Sequence, residues 1–277
     1  MVTATTSKTT EKLALDMTNI TTVEAITEYG DLKVIVEECE PYVEIALSGS
    51  TSYEFVRRSQ KIGIYSQVKN SVFGRSENGC SFTLHIPAGM KLNLITSQGE
   101  IEVEGSIKAL KAIKSKGMII VKRSGEANME LITSEGDIAM MDVAGDIRII
   151  ASEGNISVDG AQGTLQILGN KGAIEAFNIE GRAQFTNTKG NITVKGLQLQ
   201  PGALSWITSN DVISIEGLSA PYGVNLHCEG NKDLYELNLP EYTIENKWRK
   251  IEARQRGSHE AMLVIRTGSK ARISSRE

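Results

Sequence analysis

The feature that most limits what this chain can fold into is a repeat of about 18 residues. Its mark is a tripeptide of Ser, Thr or Asn, a variable residue and Gly: Ser97-Gln-Gly99, Ser115-Lys-Gly117, Ser134-Glu-Gly136, Ser152-Glu-Gly154, Asn170-Lys-Gly172 and Thr188-Lys-Gly190, with Ser209-Asn-Asp211 as a seventh. The anchors are 18, 19, 18, 18, 18 and 21 residues apart. Two places after each stands isoleucine: Ile101, Ile119, Ile138, Ile156, Ile174, Ile192 and Ile213. Four places after stand Val103, Val121, Met140, Val158, Ala176, Val194 and Ile215. Apolar pairs precede the anchors at seven and five places, from Leu92/Leu94 to Leu204/Trp206.

A spacing of two is the period of a β-strand, so each repeat holds two strands around its anchor. The anchor Gly is expected at positive φ, a region that Asp211 would also tolerate. One such repeat cannot cover its own apolar ridge; only the next repeat can, so the chain is expected to coil. The fold expected is an all-β, single-domain parallel β-solenoid, a right-handed β-helix with coils of about 18 residues and capped ends. A second turn is marked by Gly145, Gly163, Gly181 and Gly202. The layout expected is a disordered tail over 1–12, irregular β coils and a cap over 13–90, regular coils over 91–217, and C-terminal coils with a basic cap over 218–277.

Three segments carry a family resemblance: Phe82-Thr-Leu-His-Ile-Pro-Ala-Gly-Met-Lys-Leu-Asn-Leu94, the T-x-x-G-x-I-x-V pattern of Thr96–Val103, and Tyr29-Gly-Asp-Leu-Lys-Val-Ile-Val36. Over roughly Leu13 to Gly217 the chain resembles the bacterial putative-adhesin β-helical domains of unknown function, including the auto-transporter "head GIN" type. The resemblance implies a β-helix and an adhesive or envelope-linked role, and it offers no catalytic residues.

Composition narrows the function classes. A net charge of −4 argues against a nucleic-acid binder. The charge is uneven: Glu241–Glu277 holds nine Lys/Arg against five Asp/Glu, a local +4, which leaves −8 on the rest. Cys39, Cys80 and Cys228 have neither metal-ligand spacing nor the look of a disulfide framework, which points to the cytoplasm. Met1–Lys12 lacks the apolar stretch of an export signal, and no segment is long and apolar enough for membrane insertion. A leader removed beforehand would instead place the protein at the cell surface or outside.

No catalytic, cofactor or metal site is expected. Glu135, Asp137, Asp142, Asp146, Glu153 and Asp159 gather in the middle repeats, but Gln98, Lys116, Lys171 and Lys189 are the equivalents of Glu135 and Glu153. That row reads as a charge-balanced ladder rather than a carboxylate pair. The row after the anchor Gly is too mixed for a calcium repeat, and His85, His227 and His259 lack ligand spacing. The Ser97, Ser115, Ser134, Ser152 series recurs too often for a nucleophile and is expected to bond to turn backbone.

Two features remain as candidate interaction sites. Four places before the anchors stand Ile95, Ile113, Ile132, Ile150, Leu168, Thr186 and Ile207. Strict alternation points this row outward, where a continuous apolar stripe is too large to leave in water. Either the row turns inward at a corner, or another segment covers it, or a partner or second copy of the chain does. The second feature is Trp248-Arg249-Lys250, which would either engage a ring or an anionic surface or pack as a cap on the last repeat; the shortness of the segment favours the cap. The function expected is a non-catalytic binding, scaffold or adhesin-like surface for a protein or glycan partner, with a homo-oligomer among the outcomes. A self-assembling filament protein and a polysaccharide-active enzyme are the alternatives.

Overall fold

The computed structural model describes residues 9–49, 51–68 and 79–275, and over them the protein is all-β, with a short 3-10 turn at Lys232–Leu234 as its helical element. It divides into two units, Met1–Gly136 and Asp137–Glu277.

The first unit contains β1 (Thr9–Ala14), β2 (Thr22–Tyr29), β3 (Leu32–Val36), β4 (Tyr42–Ser48), β5 (Thr51–Arg58), β6 (Lys61–Val68), β7 (Gly79–Ile86), β8 (Lys91–Gln98), β9 (Ile101–Glu104), β10 (Ala109–Lys116), β11 (Ile119–Glu126) and β12 (Asn128–Glu135). Strands before the anchors form one parallel ladder, in the order β6, β2, β8, β10, β12. Strands after them form a second, in the order β7, β3, β9, β11. The repeat sets the register: Leu92 lies opposite Leu110, and Leu110 opposite Met129. The order is not that of the chain, because β6 and β7 pair outside β2 and β3. Antiparallel strands then close that side, β5 against β6, and β4 against β7 with β1 beyond it. An edge so covered does not offer its backbone for pairing. The expected disordered tail is therefore corrected in part: Thr9–Lys12 belong to β1, because Thr9–Ala14 find free backbone partners along β4, while residues 1–8 lie outside the described residues.

The second unit contains β13 (Ile138–Glu153), β14 (Ile156–Lys171), β15 (Ile174–Lys189), β16 (Ile192–Leu199), β17 (Leu204–Ser209), β18 (Ile213–Leu218), β19 (Val224–Glu229), β20 (Tyr235–Asn238), β21 (Thr243–Lys247), β22 (Lys250–Gln255), β23 (Ala261–Thr267) and β24 (Ala271–Ser275). β13, β14 and β15 run parallel, with an 18-residue offset from Ile138↔Ile156 to Glu153↔Lys171. β16 and β17 both pair with β15. The ladders continue through β18, β24 and β20 and through β17, β23 and β19. Chain order is again broken, since β23 and β24 pair between earlier strands. The antiparallel hairpin β21–β22 lies along β19.

Each core is lined by the repeated positions. Ile101 and Ile119 in the first unit, and Ile138, Ile156, Ile174, Ile192 and Ile213 in the second, are buried. A further buried row escaped the sequence reading because it is polar: Thr27, Thr96, Lys114 and Thr133 in the first unit, and Asn187 and Ser209 in the second. These side chains face inward just before their anchors, and those of Thr96, Lys114, Asn187 and Ser209 hold anchor carbonyls, whereas Thr133 Oγ1 has no partner among the described residues. Thr96 Oγ1 donates to Gly30 O and Gln98 O, each at 3.1 Å. Asn187 Nδ2 donates to Gly172 O at 2.8 Å and Gly190 O at 3.0 Å, and Ser209 Oγ to Gly190 O at 2.9 Å. The hydroxyls expected to do this, on Ser97, Ser115, Ser134 and Ser152, are exposed instead. Thr96→Val leaves two carbonyls short of a donor, and urea titration is expected to show a loss of about 1–2 kcal/mol.

The seventh repeat departs from expectation. The loop from Ser209 to Ile213 is one residue shorter than that from Asn187 to Ile192, so the strand frame slips by one. Phe185 pairs with Ile207 and Gln184 with Trp206. Ile207 is therefore fully buried, whereas Leu204 is exposed and Trp206 half-buried. Asp211 does not take a positive φ; its Oδ2 accepts the Gly190 N–H at 2.5 Å instead. Gly145, Gly163 and Gly181 align as the second turn, but Leu199 stands opposite Gly181 where Gly202 was expected.

Candidate functional site

On the first unit's sheet face, Ile26, Ile95, Ile113 and Ile132 stand directly opposite one another on β2, β8, β10 and β12. All four are half-buried, while the residues beside them, Leu94, Ala112, Leu131 and Thr96 among them, are buried. The row therefore points outward, and it does not turn inward at a corner. Tyr65 on β6 stands opposite Ile26 and continues it. Ile26 and Tyr65 were not singled out in the sequence, although Val23 and Ala25 before Gly30 place Ile26 in the same row.

A polar cluster borders this row. Glu24 is largely buried; it accepts from Tyr65 Oη at 2.6 Å and from the Asn93 amide, and pairs with Lys61 at 2.7 Å. Tyr65 lies over Gly63, where any Cβ would meet its hydroxyl at 2.3 Å. Lys111 and Glu130 pair at 3.3 Å on the next row out. An aliphatic stripe edged by charge is the usual form of a contact surface.

In the second unit the same row begins with Ile150 and Leu168, half-buried and opposite each other, and then becomes Thr186 and Thr208. Ile207 does not belong to it: the shortened loop turns Ile207 into the core opposite Phe185. The frame slip creates another apolar patch. Leu204 faces Met262 and Trp206 faces Val264 across β17 and β23, with Leu204 and Met262 exposed. Counting back from the buried polar row rather than from the tripeptide would have found it.

Trp248 and Arg249 form the two-residue tip of the β21–β22 hairpin, where Lys247 stands opposite Lys250. Trp248 is 84% exposed, which corrects its expected role as a packed cap. A two-residue loop projects its side chains past the strand ends, and here the Arg249 guanidinium lies 4.9 Å from the ring centre. Lys247 and Lys250 are both held by Glu252, which offsets the basic charge.

The middle acids have structural partners. Lys116 pairs with Glu135 at 3.0 Å, and Lys171 pairs with Glu153. Asp137 Oδ1 accepts the Asn155 N–H at 2.7 Å, and Asn155 Oδ1 accepts that of Ala173 at 2.9 Å, so this row ties each repeat to the next. His85 stacks on Tyr42 at 4.1 Å and pairs with Glu37. The three cysteines are free thiols; burial pushes Cys80 and Cys228 up to about 12, far from a nucleophile's range. Among the described residues no three His, Cys, Asp or Glu side chains gather as metal ligands, and no helix is long and apolar enough to cross a membrane.

No family profile matches the chain, and no curated protein matches it in sequence. Among solved structures it is similar to a putative adhesin from Parabacteroides distasonis, at 12% identity and a TM-score of 0.39, covering 78% of this chain and 92% of that one. It is similar to a putative adhesin from Bacteroides fragilis, at 10% identity and a TM-score of 0.39, covering 94% and 97%. A putative cell adhesion protein from Clostridium sporogenes is similar at 9% identity and a TM-score of 0.34, covering 98% and 100%. These neighbours carry the adhesin description of the family that the sequence motifs resemble.

Proposed function

We propose that the chain is a non-catalytic binding module on a right-handed β-solenoid, whose outward aliphatic row engages a protein partner. The parallel ladders with an 18-residue offset support the solenoid, as two sides of one continuous winding. The observation that carries the binding reading is the in-register row Ile26–Ile95–Ile113–Ile132, outward-facing, only half-covered by the chain itself and edged by paired charges. Branched aliphatic side chains in a row suit another protein's apolar face better than a sugar, whose ring needs polar groups to orient it. The free thiols favour a reducing compartment, the cytoplasm.

Ile113→Asp tests the reading. The side chain points outward, so the melting temperature is expected to stay within a few degrees of wild type. Partner capture, or self-association measured by light scattering over a concentration series, is expected to fall by about tenfold or more, since a desolvated carboxylate replaces a buried isoleucine. Association unchanged by Ile113→Asp and Ile95→Asp together would overturn the reading. Filaments that persist in both variants would favour end-to-end assembly instead.

A further inference from the structure

We propose that a groove on the second unit, separate from the aliphatic row, binds an extended, neutral, β-1,4-linked polysaccharide chain. The groove forms where the strands bend. Asp142, Gly160, Asn178, Gly196 and Gly217 stand at one position of successive repeats, and all have φ between 52° and 72°. Such a residue breaks the alternation, so that Met140 and Val143 both point inward and the outer surface folds into a furrow. The furrow encloses about 630 Å³, and Gln162, Glu180 and Gln198 stand along its other wall.

Its lining alternates. On β13 and β15 the left-handed position carries a polar side chain, Asp142 or Asn178, preceded by an apolar one, Met141 or Phe177. On β14 and β16 it is glycine, preceded by a charge, Asp159 or Lys195, and followed two places on by an amide, Gln162 or Gln198. Asp142 leans over Gly160, where a Cβ would meet its Oδ1 at 2.9 Å, and Asn178 leans over Gly196 in the same way, at 3.3 Å. A polar side chain and a glycine thus alternate over β13 to β16, a period of about 10 Å at the usual strand spacing, and the alternation ends at β18, where Gly217 follows Gly196.

An extended β-1,4-linked hexose chain has this symmetry: each ring is turned over relative to the last, so the chain repeats every two rings, over about the same length. Amides and carboxylates along the furrow suit its hydroxyls. Asp142 and Glu180 line the furrow with no Lys or Arg among its lining residues, which disfavours uronate, sulfated or phosphorylated chains.

The test is calorimetric titration of the full chain with cellohexaose and chitohexaose, with maltohexaose as the α-linked control and an oligogalacturonate as the anionic one. Saturable binding of a neutral β-1,4 chain is expected, with neither control binding. The Gln162→Ala/Gln198→Ala variant is expected to weaken it about tenfold, through the loss of two sets of hydrogen bonds. Gly217→Asn places in the groove the side chain already tolerated at φ 54° in Asn178; its Cβ meets nothing closer than 3.6 Å, and it is expected to block the end of the furrow. Ile113→Asp, in the first unit, is expected to leave sugar binding unchanged. Failure of both neutral chains to bind, equal binding of either control, or affinity unmoved in the glutamine variant would overturn the proposal.

Discussion

Gly172→Ala is expected to destabilise the protein by more than about 3 kcal/mol, and at moderate temperature to leave much of it unfolded. Two costs coincide at this anchor. Its φ of +112° is strained for any residue with a Cβ, and that Cβ would lie 2.1 Å from Gly154 O, the backbone of the preceding repeat. Backbone held in a parallel ladder cannot retreat without breaking pairings on both sides. Gly202→Ala separates the two costs, because its φ is +67° and no atom lies within 4 Å of its added Cβ. It is expected to lose only about 1–2 kcal/mol. Equal losses in the two variants, measured by urea titration, would show that the close approach of the anchors carries no weight.

The second large effect is electrostatic. Lys114 is only 2% exposed, in the row that Thr96 and Thr133 occupy in the neighbouring repeats. Its Nζ donates to Gly99 O and, at 2.8 Å, to Met118 O, and the charges of Glu100 and Asp31 only partly offset its burial. Burial pushes its pKa down to about 8, from 10.5. Below pH 8 the amine is charged in the folded and unfolded states alike, and the folded state bears the full cost of burying it. Between pH 8 and 10.5 the folded protein releases its proton first, so the cost is relieved as pH rises. Relative to Lys114→Thr, wild type is therefore expected to gain about 2–3 kcal/mol of stability from pH 7 to 10.5. A pH-independent difference between the two proteins would contradict this.

Most of the fold was legible because both its periods are written in side chains. The isoleucines after each anchor placed the strands, and the 18-residue spacing placed the register that Ile138↔Ile156 and Ile156↔Ile174 display. The polar row was not legible: Thr96 or Asn187 beside a Gly reads as turn chemistry, and only the inward-facing anchor carbonyls give it a reason to be buried. The error at Ile207 has the same origin, since a loop one residue shorter leaves every tripeptide intact yet reverses the faces of the strand before it. Alternation left the place of the aliphatic row open between a corner, a covered face and a partner's face, and Ile95, Ile113 and Ile132 stand half-buried on the outer face of their strands. Trp248 was misread because exposure at a hairpin tip depends on strand pairing, which local composition does not encode. The left-handed bend escaped for a related reason: its row mixes Asp, Gly and Asn, and only a shared backbone angle unites them.

The placement of β6 and β7 outside β2 and β3 bears on how the chain reaches this structure. During synthesis β2 emerges with both its edges open, and the two strands that flank it, β6 and β8, emerge later, with β7 between them in the chain. Winding from the first repeat onward cannot produce that arrangement. β13, β14 and β15 can pair one after another in chain order, but β2 must wait for residues 39 and 69 positions downstream of Thr22, at Lys61 and Lys91, before both its edges are paired. β2 is thus enclosed only after β8 has been made, and a chain cut short before Lys91 holds an unfilled seam where that neighbour should lie.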